Sequence, residues 1–254
     1  MEERLMIRQG LVHDAVHREP YLADILVEGG KIRKIAPTLD AEMIDQTKLL
    51  DVKGLQVYPG FVEAHCHLGL DGYGIGFEGA DYNEVTDSLT PELSAVDGIN
   101  PQDESIRLAM EGGVTCVAAG PGSSNVLGGT FVVYKTAGKR IDDMLVKKRA
   151  AMKCAFGENP KLCYKDKDNY SRMGTASKLR MMLKRTQEYL ARQEAAGEDI
   201  LKRPPYDPKL EALIPVIRGE LPLKAHVHQA NDIYTAIRIA KEFDTGLQLD
   251  HCTD

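Results

Sequence analysis

Pro59-Gly60-Phe61-Val62-Glu63-Ala64-His65-Cys66-His67 is the stretch that decides the fold. In an extended strand, side chains two apart share a face. His65 and His67 therefore point together with Glu63 behind them, while Val62, Ala64 and Cys66 face the other way. Two imidazoles on one strand face, at the strand's C-terminal end, make half of a divalent metal site. The spacing returns in Leu223-Lys224-Ala225-His226-Val227-His228, and His251 closes the next strand-like run, Leu247-Gln248-Leu249-Asp250-His251. Five of the seven histidines thus fall at C-terminal ends of predicted strands, where parallel barrels build their active sites. The other two, His13 and His17, lie in a different N-terminal region and read as surface residues.

Pro59-Gly60 also divides the chain. Before it, Ala23–Glu28 and Lys31–Ile35 alternate apolar with polar residues around Gly29-Gly30, a hairpin signal. Met43-Ile44-Asp45 and Leu55-Gln56-Val57 add strand candidates, so residues 1–58 form a small β element. After it, strands at 60–67, 114–119, 150–156, 221–228 and 247–251 alternate with helices at 102–110, 176–193, 209–218 and 232–242. That alternation predicts an α/β unit over 59–254 with parallel strands and crossover helices. A closed parallel barrel needs eight strands and typically about 250 residues, whereas roughly 195 residues here supply about six. The barrel is therefore expected to be cut short. Open strand edges beside an unclosed interior predict that this length of chain, expressed alone, is poorly soluble or homo-oligomeric through its open side.

Composition narrows the function classes. The 254 residues are 43% hydrophobic and 28% charged, within the globular range. A net charge of −6 gives no general attraction to phosphate backbones, so nucleic acid is not an expected partner; a small-molecule substrate is. The sequence has no apolar run long enough to span a membrane and no secretory signal. The five cysteines are scattered with no CxxC pair, so a cytoplasmic, reduced enzyme is expected.

Clustered neutral imidazoles leave the charge of a divalent ion uncompensated, so a bridging anion should join them. In Ala151–Phe156 the residues Met152, Cys154 and Phe156 share a face that would pack on helices, which turns Lys153 inward. A bare ammonium there is costly; carboxylated on its amine, Lys153 becomes an oxygen ligand. Its rival is Glu158 in the turn Gly157–Lys161, slightly favoured because a carboxylate needs no modification. A salt bridge from Lys153 to an inward acid such as Glu63 is the competing structural role. Arg172 is a candidate for holding a substrate carboxylate, against an interhelix ion pair. Gly120–Asn125 lacks the order of a phosphate loop and reads as a barrel loop. Lys147-Lys148-Arg149 reads as a solvated helix end.

The motif Pro-Gly-Phe-Val-Glu-Ala-His-Cys-His-Leu-Gly resembles the first metal motif of the amidohydrolase superfamily, and the Ala23–Ala36 hairpin resembles that of its small β domain. Met152–Lys161 followed by Ser171-Arg172-Met173-Gly174 is similar to the imidazolonepropionase-related amidohydrolases. The resemblance implies a metal-dependent hydrolase (β/α)8 TIM barrel, a flanking β-sandwich built from both chain ends, and one or two divalent ions: zinc first, iron or manganese as alternatives. It implies His65 and His67 on the first ion and His226 and His251 on the second, with Lys153 or Glu158 as the water-activating bridge and His228 near substrate. The implied reaction is hydrolysis of a C–N bond, in a cyclic amide or small N-acyl compound, by metal-activated water. A deaminase of the same superfamily and an inactive truncated metal-binding scaffold are the alternatives. The family's proton-shuttling aspartate after the eighth strand has no counterpart in this sequence, because Asp254 follows the sixth.

Overall fold

In the computed structural model, which describes residues 4–40 and 47–254, Gly29 (φ 57°) and Gly30 (φ 71°) close the expected hairpin. Two successive left-handed residues give the turn whose twist matches that of paired strands. The hairpin belongs to the first of two compact units, Met1–Gly60 and Phe61–Asp254. The first unit contains β1 (Arg4–Val12), β2 (Tyr21–Glu28), β3 (Lys31–Ala36), β4 (Lys48–Asp51) and β5 (Gln56–Val57). They form one sheet in the order β3-β2-β1-β4, with β5 also on β1. Among the described residues this is a single five-stranded layer, not two packed sheets. The strand expected at Met43–Asp45 lies outside the described residues.

β1 was not foreseen, because a bulge between Ile7 and Gly10 breaks its alternation. Gln9 there has φ 58°. The buried carboxylate of Asp24 holds the bulge, accepting the Gln9 N–H at 2.9 Å and the Leu39 N–H at 3.0 Å.

The second unit runs β6 (Phe61–Cys66), α1 (Glu104–Glu111), β7 (Val114–Ala119), β8 (Leu127–Lys135), α2 (Ile141–Met144), β9 (Leu145–Ala155), α3 (Glu158–Tyr164), α4 (Arg172–Ala196), α5 (Pro208–Ile217), β10 (Leu223–Val227), α6 (Ala230–Phe243) and β11 (Leu247–His251). Its six strands follow the order β11-β10-β9-β8-β7-β6. The wholly parallel expectation fails at one place. β8 is antiparallel to both β7 and β9. It begins Leu127-Gly128-Gly129-Thr130-Phe131-Val132, every residue of which is buried. A strand covered on both faces shows no alternation to read. Two smaller corrections concern local structure. The predicted turn at Gly157–Lys161 lies mostly in α3, and Lys147-Lys148-Arg149 occupies the exposed half of β9, not a helix end.

β6 and β11 are the two ends of the hydrogen-bonded order, yet His65 Nδ1 on β6 stands 3.1 Å from Asp250 Oδ2 on β11. The sheet therefore curls until side chains of its edges meet, giving a nearly closed, barrel-like α/β unit. Outside it, Met152, Cys154 and Phe156 of the β9 segment join a buried core with Leu179, Leu183 and Leu213 from α4 and α5. Inside, Lys153 faces the interior beside Lys224, its register partner on β10. No described helix is long and apolar enough to cross a membrane.

Candidate functional site

All five strand-end histidines come together. The ring centroids of His226 and His251 are 4.5 Å apart, those of His226 and His228 4.7 Å, and those of His228 and His251 5.0 Å. His65 joins them at 5.1 Å from His251 and 5.5 Å from His67. Strand parity alone would send His251 outward with its register partner Val227. Instead, His251 (φ 74°) and Cys252 (φ 46°) adopt left-handed backbone. Such conformations are costly for side-chain-bearing residues, and they collect where a site demands them.

Each ring has its own support. The Nδ1–H of His67 donates to the Gly120 carbonyl at 2.7 Å, which fixes the tautomer and leaves Nε2 as a lone pair. His65 stacks on Phe131 with centroids 5.4 Å apart and planes at 22°. Asn159 Nδ2 lies 3.2 Å from His226 Nε2, while His226 Nδ1 is buried without a partner. His228 Nδ1 pairs with Thr253 Oγ1 at 3.0 Å. Burial drives the His226 imidazole down to about 3 and also lowers those of His67 and His251. At neutral pH these rings are uncharged and available as donors.

Gly120 serves two rings at once. Its carbonyl holds His67, and a Cβ on it would collide with the Phe131 ring beneath His65. Gly120→Ala is therefore expected to cost about 1–3 kcal/mol by overpacking, measured as a lower urea midpoint.

Lys153 is wholly buried, and among the described residues its Nζ has no hydrogen-bond partner. It lies 5.4 Å from the Phe131 centroid, as does Lys224 Nζ. The two lysines differ in partner: Lys224 donates to Asp250 Oδ1 at 2.6 Å. Glu63 is not paired with Lys153, since its carboxylate accepts the His65 backbone N–H at 2.8 Å. Burial lowers the Lys153 amine to about 8.

Two sequence candidates are engaged by other protein groups. Glu158, considered as a bridge, begins α3, and its exposed carboxylate pairs with Arg172 and accepts from Gln229 Nε2 at 3.2 Å. The Arg172 guanidinium bonded to it holds its carboxyl below the usual carboxylate range. Arg172 in turn is spent on protein groups: its Nε contacts both oxygens of the buried Asp232 at 3.0 and 3.1 Å. Arg172 is thus an interhelix ion pair, not a free clamp for a substrate carboxylate. Arg172→Met would strand the Asp232 carboxylate, and a loss of about 3 kcal/mol is expected, read from denaturant unfolding.

Sequence reasoning missed Asp250, Lys224 and Phe131, which fill the floor below the rings. Lys224 had a signal, standing two residues before His226 on the same strand face. A cavity of about 510 Å³ lies at this level, lined by Glu63, Ala118, Phe131, Val133, Lys224 and Asp250 among others. Above, residues 68–103 form a long rim segment, and Tyr82 from it stacks on His67 at 5.6 Å. Tyr82 also lines a cavity of about 430 Å³ with Asp81, Asn83, Glu84 and Glu92.

The donors are gathered without being closed on one point. Among the described residues no three His, Cys, Asp or Glu side chains stand in ligating geometry. Their unmet demand is nevertheless local. His65 Nδ1, Lys153 Nζ, His226 Nδ1 and Asp250 Oδ2 are four of the seven buried side-chain polar atoms without a hydrogen-bond partner among the described residues. Buried polar groups are ordinarily satisfied. Such a concentration of unmet polar atoms, a carboxylate oxygen included, beside clustered imidazoles fits a site built to take a divalent cation.

Comparison with known proteins agrees with this arrangement. The amidohydrolase tasK of Hapsidospora irregularis is 30% identical over 254 residues, covering 91% of this chain and 26% of that protein. The dihydroorotase of Aquifex aeolicus is 38% identical over 65 residues, 26% of this chain and 15% of that enzyme. Among solved structures, an amidohydrolase from Thermotoga maritima MSB8 superposes with a TM-score of 0.90 at 37% identity, covering 96% of this chain and 63% of that one. The chain therefore spans only part of the length of these relatives. No family model matches it. From a structural likeness running over nearly all of its residues, this chain belongs to the amidohydrolase superfamily.

Proposed function

We propose that the protein is a metal-dependent hydrolase of C–N bonds acting on a cyclic amide or a small N-acyl compound. The observation carrying this reading is the clustering of five imidazoles in the barrel-like sheet, together with a buried lysine amine that has no hydrogen-bond partner among the described residues. His65, His67, His226 and His251 would hold the ion or ions, zinc in first place, because neutral imidazole suits it. Lys153 is now the preferred bridge. Its neutral amine attacks the carbon of CO2 and loses one proton, leaving a carboxylate on nitrogen where a bare ammonium was. That change replaces an unpaired buried cation by an anion, which would balance the charge of a divalent ion held by imidazoles. Glu158, committed to Arg172, keeps α3 and α4 in place instead.

A bound divalent ion supplies Lewis acidity and an activated water at neutral pH. The chain's own residues do the rest. The His67–Gly120 contact and the His65–Phe131 stack orient two rings before substrate arrives. His228, at the mouth beside Thr253, and the rim carrying Tyr82 are positioned to meet the substrate. The names of the dihydroorotase and amidohydrolase relatives support an amide-type bond.

The test is a substrate screen of the zinc-loaded, full-length protein. Hydrolysis of dihydroorotate-like cyclic amides or N-acyl amino acids, lost on chelation, is expected. Ammonia release from aminated heterocycles without amide cleavage would favour the deaminase reading. Zinc binding with no turnover on either set would favour an inactive scaffold.

A further inference from the structure

The floor beneath the histidines holds two residues that the proposed reaction has not used, Lys224 and Asp250, in a chain of contacts that ends on His65. Lys224 Nζ donates to Asp250 Oδ1 at 2.6 Å, and Asp250 Oδ2 lies 3.1 Å from His65 Nδ1. All three side chains are largely buried, at 7%, 9% and 17% exposure. They come from β10, β11 and β6, so the contact joins the two ends of the sheet order. The His65 ring plane is already set by its stack on Phe131. What remains open is which ring nitrogen carries the proton.

His67 supplies the comparison within the same motif. Its Nδ1–H is held by a backbone carbonyl, leaving Nε2 free. Among the described residues no carbonyl holds His65 in that way; Asp250 Oδ2 stands 3.1 Å from its Nδ1, not aligned as a hydrogen bond. A carboxylate or carbonyl on the second nitrogen commonly fixes the tautomer and orientation of a ligating histidine.

We propose that Asp250, tethered by Lys224, is the positioning residue for His65, holding the ring as its Nδ1–H tautomer so that Nε2 is the lone pair offered to the ion. Lys224 prevents the carboxylate from turning toward the nearby Lys153 amine, and so also leaves Lys153 free of an acidic partner. The inference rests on the metal-centre reading above for its purpose, but the tautomer exists without metal.

The primary test is therefore made on the metal-free, full-length protein with nitrogen-15-labelled histidine. His65 is expected to show the Nδ1–H pattern in long-range nitrogen–proton spectra at pH 8. Asp250→Leu combined with Lys224→Met removes the pair together, so no buried charge is stranded. His65 should then shift toward the Nε2–H form while His67 keeps its pattern. Zinc affinity should fall about 10–100-fold. Asp250→Asn keeps its single oxygen on the Lys224 ammonium and turns its amide N–H toward Nδ1, so it should likewise favour the Nε2–H form. An Nε2–H pattern for His65 in the unaltered protein would overturn the proposal, as would an unchanged tautomer in the double variant. Failure of the metal-centre reading looks different: zinc content would then survive loss of His65 and His67.

Discussion

Replacing His65 and His67 together by alanine is expected to remove most of the zinc that the protein binds. The two rings stand 5.5 Å apart, and His65 reaches His251 at 5.1 Å, so they connect one strand end to the rest of the cluster. Burial keeps His67 neutral, and its Nδ1–H is fixed on Gly120, so its Nε2 has no other task. Zinc per chain, measured by elemental analysis after gel filtration, should drop by at least half. Neither ring belongs to the buried apolar cores, so the variant should still unfold cooperatively. Unchanged stoichiometry in a folded variant would refute the ligand assignment.

The second large effect concerns Lys153, and its sign reverses with metal. Burial holds its folded-state amine at about 8 against an ordinary 10.5. Between those values the unfolded chain binds more protons, so stability falls as pH drops from about 10.5 to about 8 and the loss is complete at pH 7. Lys153→Met should therefore stabilise the metal-free protein at pH 7 by up to about 3 kcal/mol, with the gain shrinking above pH 8. With zinc and bicarbonate present the order should invert. The unaltered protein should gain a thermal shift that Lys153→Met lacks, because the methionine cannot become an oxygen ligand. A bicarbonate-independent zinc response, equal in both proteins, would remove Lys153 from the centre.

Much of this site could be read from period-two spacing. Glu63, His65 and His67, and again Lys224, His226 and His228, are separated by two residues, and strand geometry puts each set on one face. The inward direction of Lys153 came from the same parity, through its apolar neighbours Met152, Cys154 and Phe156. His251 was legible as a strand end, but not the left-handed backbone that turns its ring back toward His226. β8 was hidden because burial on both faces erases alternation. The pairing of Glu158 was not legible for a longer-range reason: Gly157 (φ 77°) starts α3, and the carboxylate then meets an arginine fourteen residues on. Asp250 escaped notice because its partners lie on β6 and β10, and only closure of the sheet brings them together.

The central claim is that the strand-end histidines and Lys153 form one metal centre. Its most direct test is a crystal structure of the zinc-loaded protein, with anomalous difference density recorded at the zinc edge. The account predicts a peak among His65, His67, His226 and His251, with continuous density extending the Lys153 amine toward it as a carboxylate. A peak held by Glu158, or elsewhere in the molecule, with a bare Lys153 amine would contradict it.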